Sequence, residues 1–358
     1  MKAVILAAGK GTRMRGLCEK RPKPLLPLAN RPALQLTISR LKEAGVSDML
    51  VVVGHQQDKI KQSHGYGTSS GVKLYYVVQE ALNGTGGAAM LAEGFVEGEP
   101  FFLVFGDVIA HTENYVRAAR LLKSGAGAVV STFDLGRPVK IGAVFAQDGR
   151  VVKIVERPSP REHSSLVSAG IFIFPPEIFE ATRNLPPAPT GEHELTGGIQ
   201  ALVENGMEVA AMPVSGFWAN LTDPVALLQA NAAVQRELAE RREPLVQASA
   251  KVSPRATVDE FAAVAADARI EEGAVIGPNV SIGARSVIGS GARLRGCILI
   301  DKVAVGAGAV VENAVIDAGA EVPPGAVIRS PLRSACVIWK TMYACETQTE
   351  AAAKAKGQ

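Results

Sequence analysis

Ala3-Val4-Ile5-Leu6-Ala7-Ala8-Gly9-Lys10-Gly11-Thr12-Arg13 opens the chain with a short apolar run that stops in a glycine loop. Consecutive apolar residues bounded by glycine read as a strand buried on both faces. Similar runs recur at Asp48–Gly54, Leu74–Gln79, Phe101–Phe105, Ala126–Phe133, Ile141–Phe145 and Val151–Val155. Helical patterns over Leu34–Ala44 and Gly86–Glu97 separate several of them. Strands alternating with helices predict an α/β domain whose mainly parallel, Rossmann-like sheet is covered on both faces. In such folds ligands gather beyond the carboxyl ends of the strands, so the loops after strands are the place to look for chemistry.

The pattern changes near Val252. Val252, Val258, Val264, Ile270, Ile276, Ile282, Ile288, Leu294 and Ile300 fall at a spacing of six. A mostly small residue stands two positions before each, and glycine follows at Gly277, Gly283 and Gly289. A six-residue period is the mark of a parallel β-helix, in which stacked coils bury one large aliphatic residue per face. The register slips near Val303 and resumes loosely through Val305, Val311, Ile316 and Val322. Ending near residue 328, the repeats allow about four coils. The predicted organisation is a first domain over 1–230, a linker helix over 231–247 that overlaps the helical pattern Asp223–Arg242, the β-helix over 248–330 and a tail over 331–358. The Ala/Lys-rich end, Glu350–Gln358, reads as a frayed helix.

A length of 358 residues fits two domains. A net charge of +3 creates no global field for nucleic acid or membrane. The first apolar run is too short for a signal peptide, and no run of about 18 apolar residues suggests a membrane span. Cys18, Cys297, Cys336 and Cys345 have neither metal nor redox spacing, which fits free thiols in a reducing cytosol.

Glycines in the opening loop let the backbone approach a polyphosphate, and Lys10 and Arg13 add positive charge. The loop lacks the Gly-Lys-Ser/Thr of a Walker A motif, and Met14 breaks the dinucleotide pattern. Alone, it reads equally well as a plain strand-to-helix turn. Further on, Arg21-Pro22-Lys23-Pro24-Leu25-Leu26-Pro27 holds a lysine in an extended, proline-fixed segment. A cation fixed in this way suits a phosphate.

Together the two segments resemble the signature of the sugar-1-phosphate nucleotidyltransferases, whose long members carry a C-terminal left-handed parallel β-helix. The resemblance implies that Leu6, Ala8, Gly9, Gly11 and Thr12 wrap a nucleoside triphosphate. Arg13 would contact the leaving pyrophosphate, and Lys23 the phosphates where the new bond forms. Gln79, Gly84 and Thr85 resemble the segment that reads a pyrimidine base, which favours UTP or dTTP. Gly106-Asp107 resembles the Gly-Asp whose carboxylate holds Mg²⁺, and Trp218-Ala219-Asn220 the element that supplies a second metal ligand. Gly142, Glu156, Arg157, Ser168 and Gly170 resemble the sugar contacts. Arg157 replaces the usual lysine, Ser168 a common asparagine, and Asn220 the aspartate of thymidylyltransferases.

Each residue also has a plainer reading. Asp107 fits a turn or cap, Glu156 a solvated strand end, Asn220 a helix N-cap, Gln79 a surface position and Trp218 packing. The implied reaction needs no general base, because the attacking phosphate is already ionised; positioning and charge neutralisation carry it. All five histidines precede the repeats, so the β-helix lacks the base of an acetyltransferase and suits assembly or allosteric control, in a homo-trimer or tetramer. Rival readings are a GTP-dependent mannose-1-phosphate guanylyltransferase, a cytidylyltransferase, or an inert regulatory homologue. Arg13, Lys23 and Asp107 argue against the last.

Overall fold

The computed structural model describes residues 1–344 except 15, 160, 189, 190, 332, 333, 340 and 341. The tail helix expected over 350–358, and Cys345, lie outside the described residues. Two compact units emerge: one comprises Met1–Gly11, Arg21–Leu25 and Ala33–Asn220, the other Thr12–Lys20, Leu26–Pro32 and the chain from Leu221 onward.

Nine strands form the sheet of the first unit: β1 (Lys2–Leu6), β2 (Asp48–Val53), β3 (Lys73–Val78), β4 (Phe101–Phe105), β5 (Ala128–Asp134), β6 (Ala143–Gln147), β7 (Arg150–Val155), β8 (Leu166–Phe174) and β9 (Val209–Pro213). Their order is β3-β2-β1-β4-β8-β5-β9-β7-β6. The expected parallel arrangement holds from β3 to β4 and again between β5 and β9. Antiparallel pairs join β4 to β8, β8 to β5, β9 to β7 and β7 to β6, so this half of the sheet is mixed. Alternate residues of each run serve opposite faces. Ala3 and Ile5 pack with Leu34, Ile38 and Leu41 of the helix Ala33–Glu43, while Val4 packs with Ala88, Ala89, Ile178 and Ile199. Burial on both faces is why the runs carry no polar alternation.

Two expectations change. The single helix over Gly86–Glu97 is two short ones, Gly84–Met90 and Glu93–Val96, because Gly84, Gly86, Gly87 and Gly94 weaken it. The strand expected from Ile141 begins at Ala143, after Gly142 turns with φ 63°.

In the second unit, the helix Pro224–Glu240 starts where Asp223 accepts hydrogen bonds from Val225 N and Ala226 N. Asp223, not Asn220, is therefore the N-cap. Three parallel sheets follow, of five, five and six strands, the sixth being an antiparallel return over Met342–Ala344. Among the described residues they make five coils rather than four. The last coil was missed because Pro331–Ala335 interrupts the period before its third side, Cys336–Trp339.

The register slips earlier than the sequence suggested. Ile270 pairs Ile288, eighteen residues on, whereas Ile282 pairs Leu299, seventeen on. Leu299, not Ile300, is thus the large inward residue. The cause is a shortened corner at Gly296 (φ 56°), repeated one coil later at Asn313 (φ 53°). Elsewhere glycine follows the inward residue because the next coil passes close by. A Cβ on Gly306 would lie 2.3 Å from Pro324 N. Gly306→Ala is expected to lower stability by about 1–3 kcal/mol in urea unfolding. Gly94→Ala, in a helix with open space around it, is expected to be neutral or slightly stabilising.

The outward residues of one sheet, Ala263, Ser281, Ile298, Val315 and Val337, are fully or almost fully buried. Asn231 and Gln235 of the helix Pro224–Glu240 bond to this face. Gln235 Nε2 donates to Val280 O at 2.7 Å, and Ser281 Oγ donates to Asn231 Oδ1 at 2.8 Å. Asn231 Oδ1 also accepts from Ala29 N at 2.8 Å, in a hairpin of Pro27–Leu28 with Arg31–Pro32. Both turn residues, Ala29 and Asn30, have positive φ, the conformation a two-residue hairpin turn requires.

Candidate active site

Parallel strands β1, β2, β3 and β4 end together, and their ends are stitched by the backbone. Ala7 N donates to Val52 O, Gly106 N to Leu6 O and Gln79 N to Val53 O, each at 2.8 Å. The crossing is tight: a Cβ on Gly54 would lie 2.8 Å from Ala8 O, and one on Gly106 2.8 Å from Leu6 O. Leu6 ends β1, Ala8 is buried, and Gly9 is exposed beyond it. Gly11 turns with φ 67°. The glycine before Asp107 therefore lets the chain turn against β1 and carry the carboxylate beyond the strand ends.

Lys23 answers Asp107. Its short helical turn, Lys23–Leu25, places Nζ 2.6 Å from Asp107 Oδ2. The lysine side chain is only 10% exposed and the aspartate 33%. A buried cation needs such a partner, so Asp107 is neither an idle turn residue nor a cap. Thr12 and Arg13 belong to the second unit, in the turn Thr12–Met14, which buries Met14 and leaves both exposed.

Gln79 is buried at the end of β3, not a surface residue. Its Nε2 donates to Asn83 Oδ1 at 3.0 Å and to Gly84 O at 3.1 Å. Gly87 makes room for Asn83, since a Cβ there would sit 2.1 Å from Asn83 Oδ1. Thr85 Oγ1 accepts from Leu195 N at 3.3 Å.

Of the residues expected to contact a sugar, Glu156 and Ser168 meet at Gly142. Its N donates to Glu156 O at 2.8 Å, and its O accepts from Ser168 N at 2.9 Å. Gly170 (φ 76°) sits where β8 bulges, against Phe105 and Val108. Glu156 Oε2 accepts from Thr196 Oγ1 at 3.0 Å, and Arg157 Nη1 stands 3.7 Å from Glu194 Oε1. Glu192–Thr196 was missed in the sequence; the three carboxylates Glu192, Glu194 and Glu156 were its one visible signal.

Asn220 pairs across a short antiparallel ladder with Val108, the neighbour of Asp107. Its Oδ1 is buried and accepts no hydrogen bond among the described residues. An orphaned buried acceptor, on a strand paired to the residue after Asp107, fits a hard divalent cation, which takes oxygen donors. Trp218 packs on Phe133 with ring centroids 4.7 Å apart and donates Nε1–H to Ala169 O at 2.8 Å.

Residues 2–237 match the nucleotidyl transferase family model. This chain belongs to the sugar-1-phosphate nucleotidyltransferase family. Residues 258–347 match the GMPPB C-terminal domain, so the family form is the one with a parallel β-helix. The nucleotidyltransferase is 32% identical over 265 residues to the low-salt glycan biosynthesis nucleotidyltransferase Agl11 of Haloferax volcanii, covering 73% of this chain and 74% of that one. It is 30% identical over 319 residues to a glucose-1-phosphate thymidylyltransferase of Streptomyces antibioticus, covering 88% and 81%. A Bacillus anthracis crystal structure assigned to glucose-1-phosphate thymidylyltransferase, with sucrose bound, superposes with a TM-score of 0.60 at 27% identity, covering 65% of this chain and 94% of that one. Among the described residues, no helix of this nucleotidyltransferase is long and apolar enough to cross a membrane.

Burial pushes the Glu156 carboxyl above its ordinary value of 4.5; the Thr196 hydrogen bond opposes this and the Glu194 charge adds to it. A raised pKa means that the fold prefers the protonated form. That contribution is complete below pH 4.5 and is lost as pH rises through the elevated value. Glu156→Gln is therefore expected to raise the melting temperature at pH 7 and to flatten its decline between pH 4.5 and neutrality, read by differential scanning calorimetry.

Proposed function

We propose that the chain transfers a uridylyl or thymidylyl group from its triphosphate to a sugar 1-phosphate, releasing pyrophosphate. A phosphate oxygen of the sugar attacks the α-phosphorus in line. The new P–O bond forms as the bond from the α-phosphorus to the bridging oxygen breaks, and the pyrophosphate carries away the electron pair. Lys23 meets the charge around the α-phosphate, and Arg13 is assigned to the leaving pyrophosphate. Leu6, Ala8, Gly9, Gly11 and Thr12 form the triphosphate loop. Gly142, Glu156, Arg157, Ser168 and Gly170 hold the sugar. Asp107 and Asn220 would hold Mg²⁺, which supplies charge neutralisation at the phosphates when bound.

The observation that carries the base assignment is the use of Gln79. Both amide hydrogens are taken, by Asn83 and Gly84, which leaves the carbonyl oxygen as the group Gln79 would offer a base, an acceptor. An acceptor suits the ring N–H of uracil or thymine and leaves the bare ring nitrogen of cytosine unmatched. Guanine also carries a ring N–H. That, with the match of residues 258–347 to the GMPPB C-terminal domain, favours a second reading, guanylyl transfer to mannose 1-phosphate. A pyrophosphate-release assay over UTP, dTTP, GTP, CTP and ATP against glucose, N-acetylglucosamine and mannose 1-phosphates tests both. Cytidylyl transfer as the leading activity, or silence across the panel, would overturn the proposal.

A further inference from the structure

Glu192–Thr196 touches both halves of the site. On the base side, His193 N donates to Asn83 O at 2.7 Å and Gly86 N donates to His193 O at 2.8 Å. Leu195 N adds its bond to Thr85 Oγ1 at 3.3 Å. On the sugar side, Thr196 Oγ1 reaches Glu156 Oε2 at 3.0 Å, and Glu194 stands 3.7 Å from Arg157. The docking is close enough to forbid side chains: a Cβ on Gly84 would lie 2.5 Å from His193 O, and one on Gly86 2.8 Å from it. Leu195 also starts the helix Leu195–Glu204, which packs on the core through Leu195, Ile199 and Leu202.

We infer that Glu192–Thr196 is a positioning strap that makes nucleotide and sugar 1-phosphate bind cooperatively. The inference rests on the functional reading above, which places the base beside Gln79–Thr85 and the sugar beside Glu156 and Arg157. A sugar held by Glu156 and Arg157 immobilises Thr196 and Glu194. Because the strap's backbone is bonded to Asn83 and Gly86, the base side is ordered in the same event. The second ligand then meets a site whose ordering cost has already been met, which is positive coupling without a new contact. Linkage requires the same factor in both directions.

Calorimetric titration of the full chain tests this. The probes are the sugar 1-phosphate and the α,β-methylene analogue of the nucleotide that turn over best in the panel. In the parent protein, each ligand should tighten the other by the same factor, at least about fivefold. In Gly86→Ala, which drives a methyl at His193 O, and in His193→Pro, which removes the N–H to Asn83, the factor should fall towards one with binding stoichiometry unchanged. His193→Ala keeps both backbone bonds and should keep the coupling. Hydrogen exchange on the parent protein gives an arm that needs no variant: sugar 1-phosphate alone should slow exchange at the Gly86 and His193 amides. A parent factor near one, equal factors in the strap variants, or no protection at those amides would overturn the strap while leaving the transferase reading intact. Failure of every pair in the panel to turn over would overturn both.

Discussion

Asp107→Asn is expected to lower turnover by about a thousandfold while the chain stays folded, and Lys23→Met to do the same. The pair lies where strands β1 and β4 end, and nothing else among the described residues of the first unit joins a carboxylate so directly to a nearly buried lysine. Asparagine keeps the shape of the aspartate and an oxygen for the Lys23 ammonium but removes the charge. Alanine is a poorer choice, because an uncompensated buried ammonium costs about 3–5 kcal/mol by itself. Lys23→Met keeps the length of the buried stem and leaves Asp107, which is one-third exposed, to water. Pyrophosphate release at saturating substrate, beside circular-dichroism melts, separates chemistry from folding. Turnover within tenfold of the parent for either variant would remove these residues from the proposed chemistry.

The largest effect on stability is expected at Asn231, which is fully buried, as are Gln235 and Ser281. One carboxamide oxygen accepts from both Ala29 N and Ser281 Oγ, and its nitrogen donates to Gln235 Oε1 at 3.1 Å. Asn231→Leu fills the space but strands two buried donors and one buried acceptor. At about 1–3 kcal/mol for each unmet group, the loss is expected to reach roughly 3–9 kcal/mol. Ala29 makes the case sharper, since an alanine at φ 49° is held against its preference and its N–H bond helps to hold it there. Urea unfolding of Asn231→Leu, compared with the double variant that also carries Ser281→Ala, reads this out. The double variant should recover part of the loss, because one stranded donor is gone. A loss below about 1 kcal/mol would show that the network carries little of the stability.

What could be read from the chain alone depended on how local its cause was. Strands β1 to β4 were legible because burial on both faces leaves unbroken Val, Ile, Leu and Phe runs. β8 was not read as one strand, because Gly170 and the bulge between Ser168 and Phe172 divide its pattern. Its antiparallel entry between β4 and β5 is what turns the sheet mixed, and no residue type signals direction. The β-helix announced itself through side chains that point inward, yet its fifth coil hid behind Pro331–Ala335. At the site, the Gly-Asp turn and the proline-flanked lysine were visible as motifs. Glu192–Thr196 was not, because most of its bonds run through backbone groups, which every sequence possesses.

The shortened corner at Gly296 and Asn313 shows that stacking, not chain length, keeps this solenoid in step. Leu294 still faces Ile276, and Leu299 still faces Ile282, although the bend between Leu294 and Leu299 is one residue shorter than that between Ile276 and Ile282. Length is therefore a free variable at that edge. Segments spliced in beside Gly296 are expected to leave every rung of the ladder aligned, which makes the edge a natural place to graft a reporter peptide or an epitope.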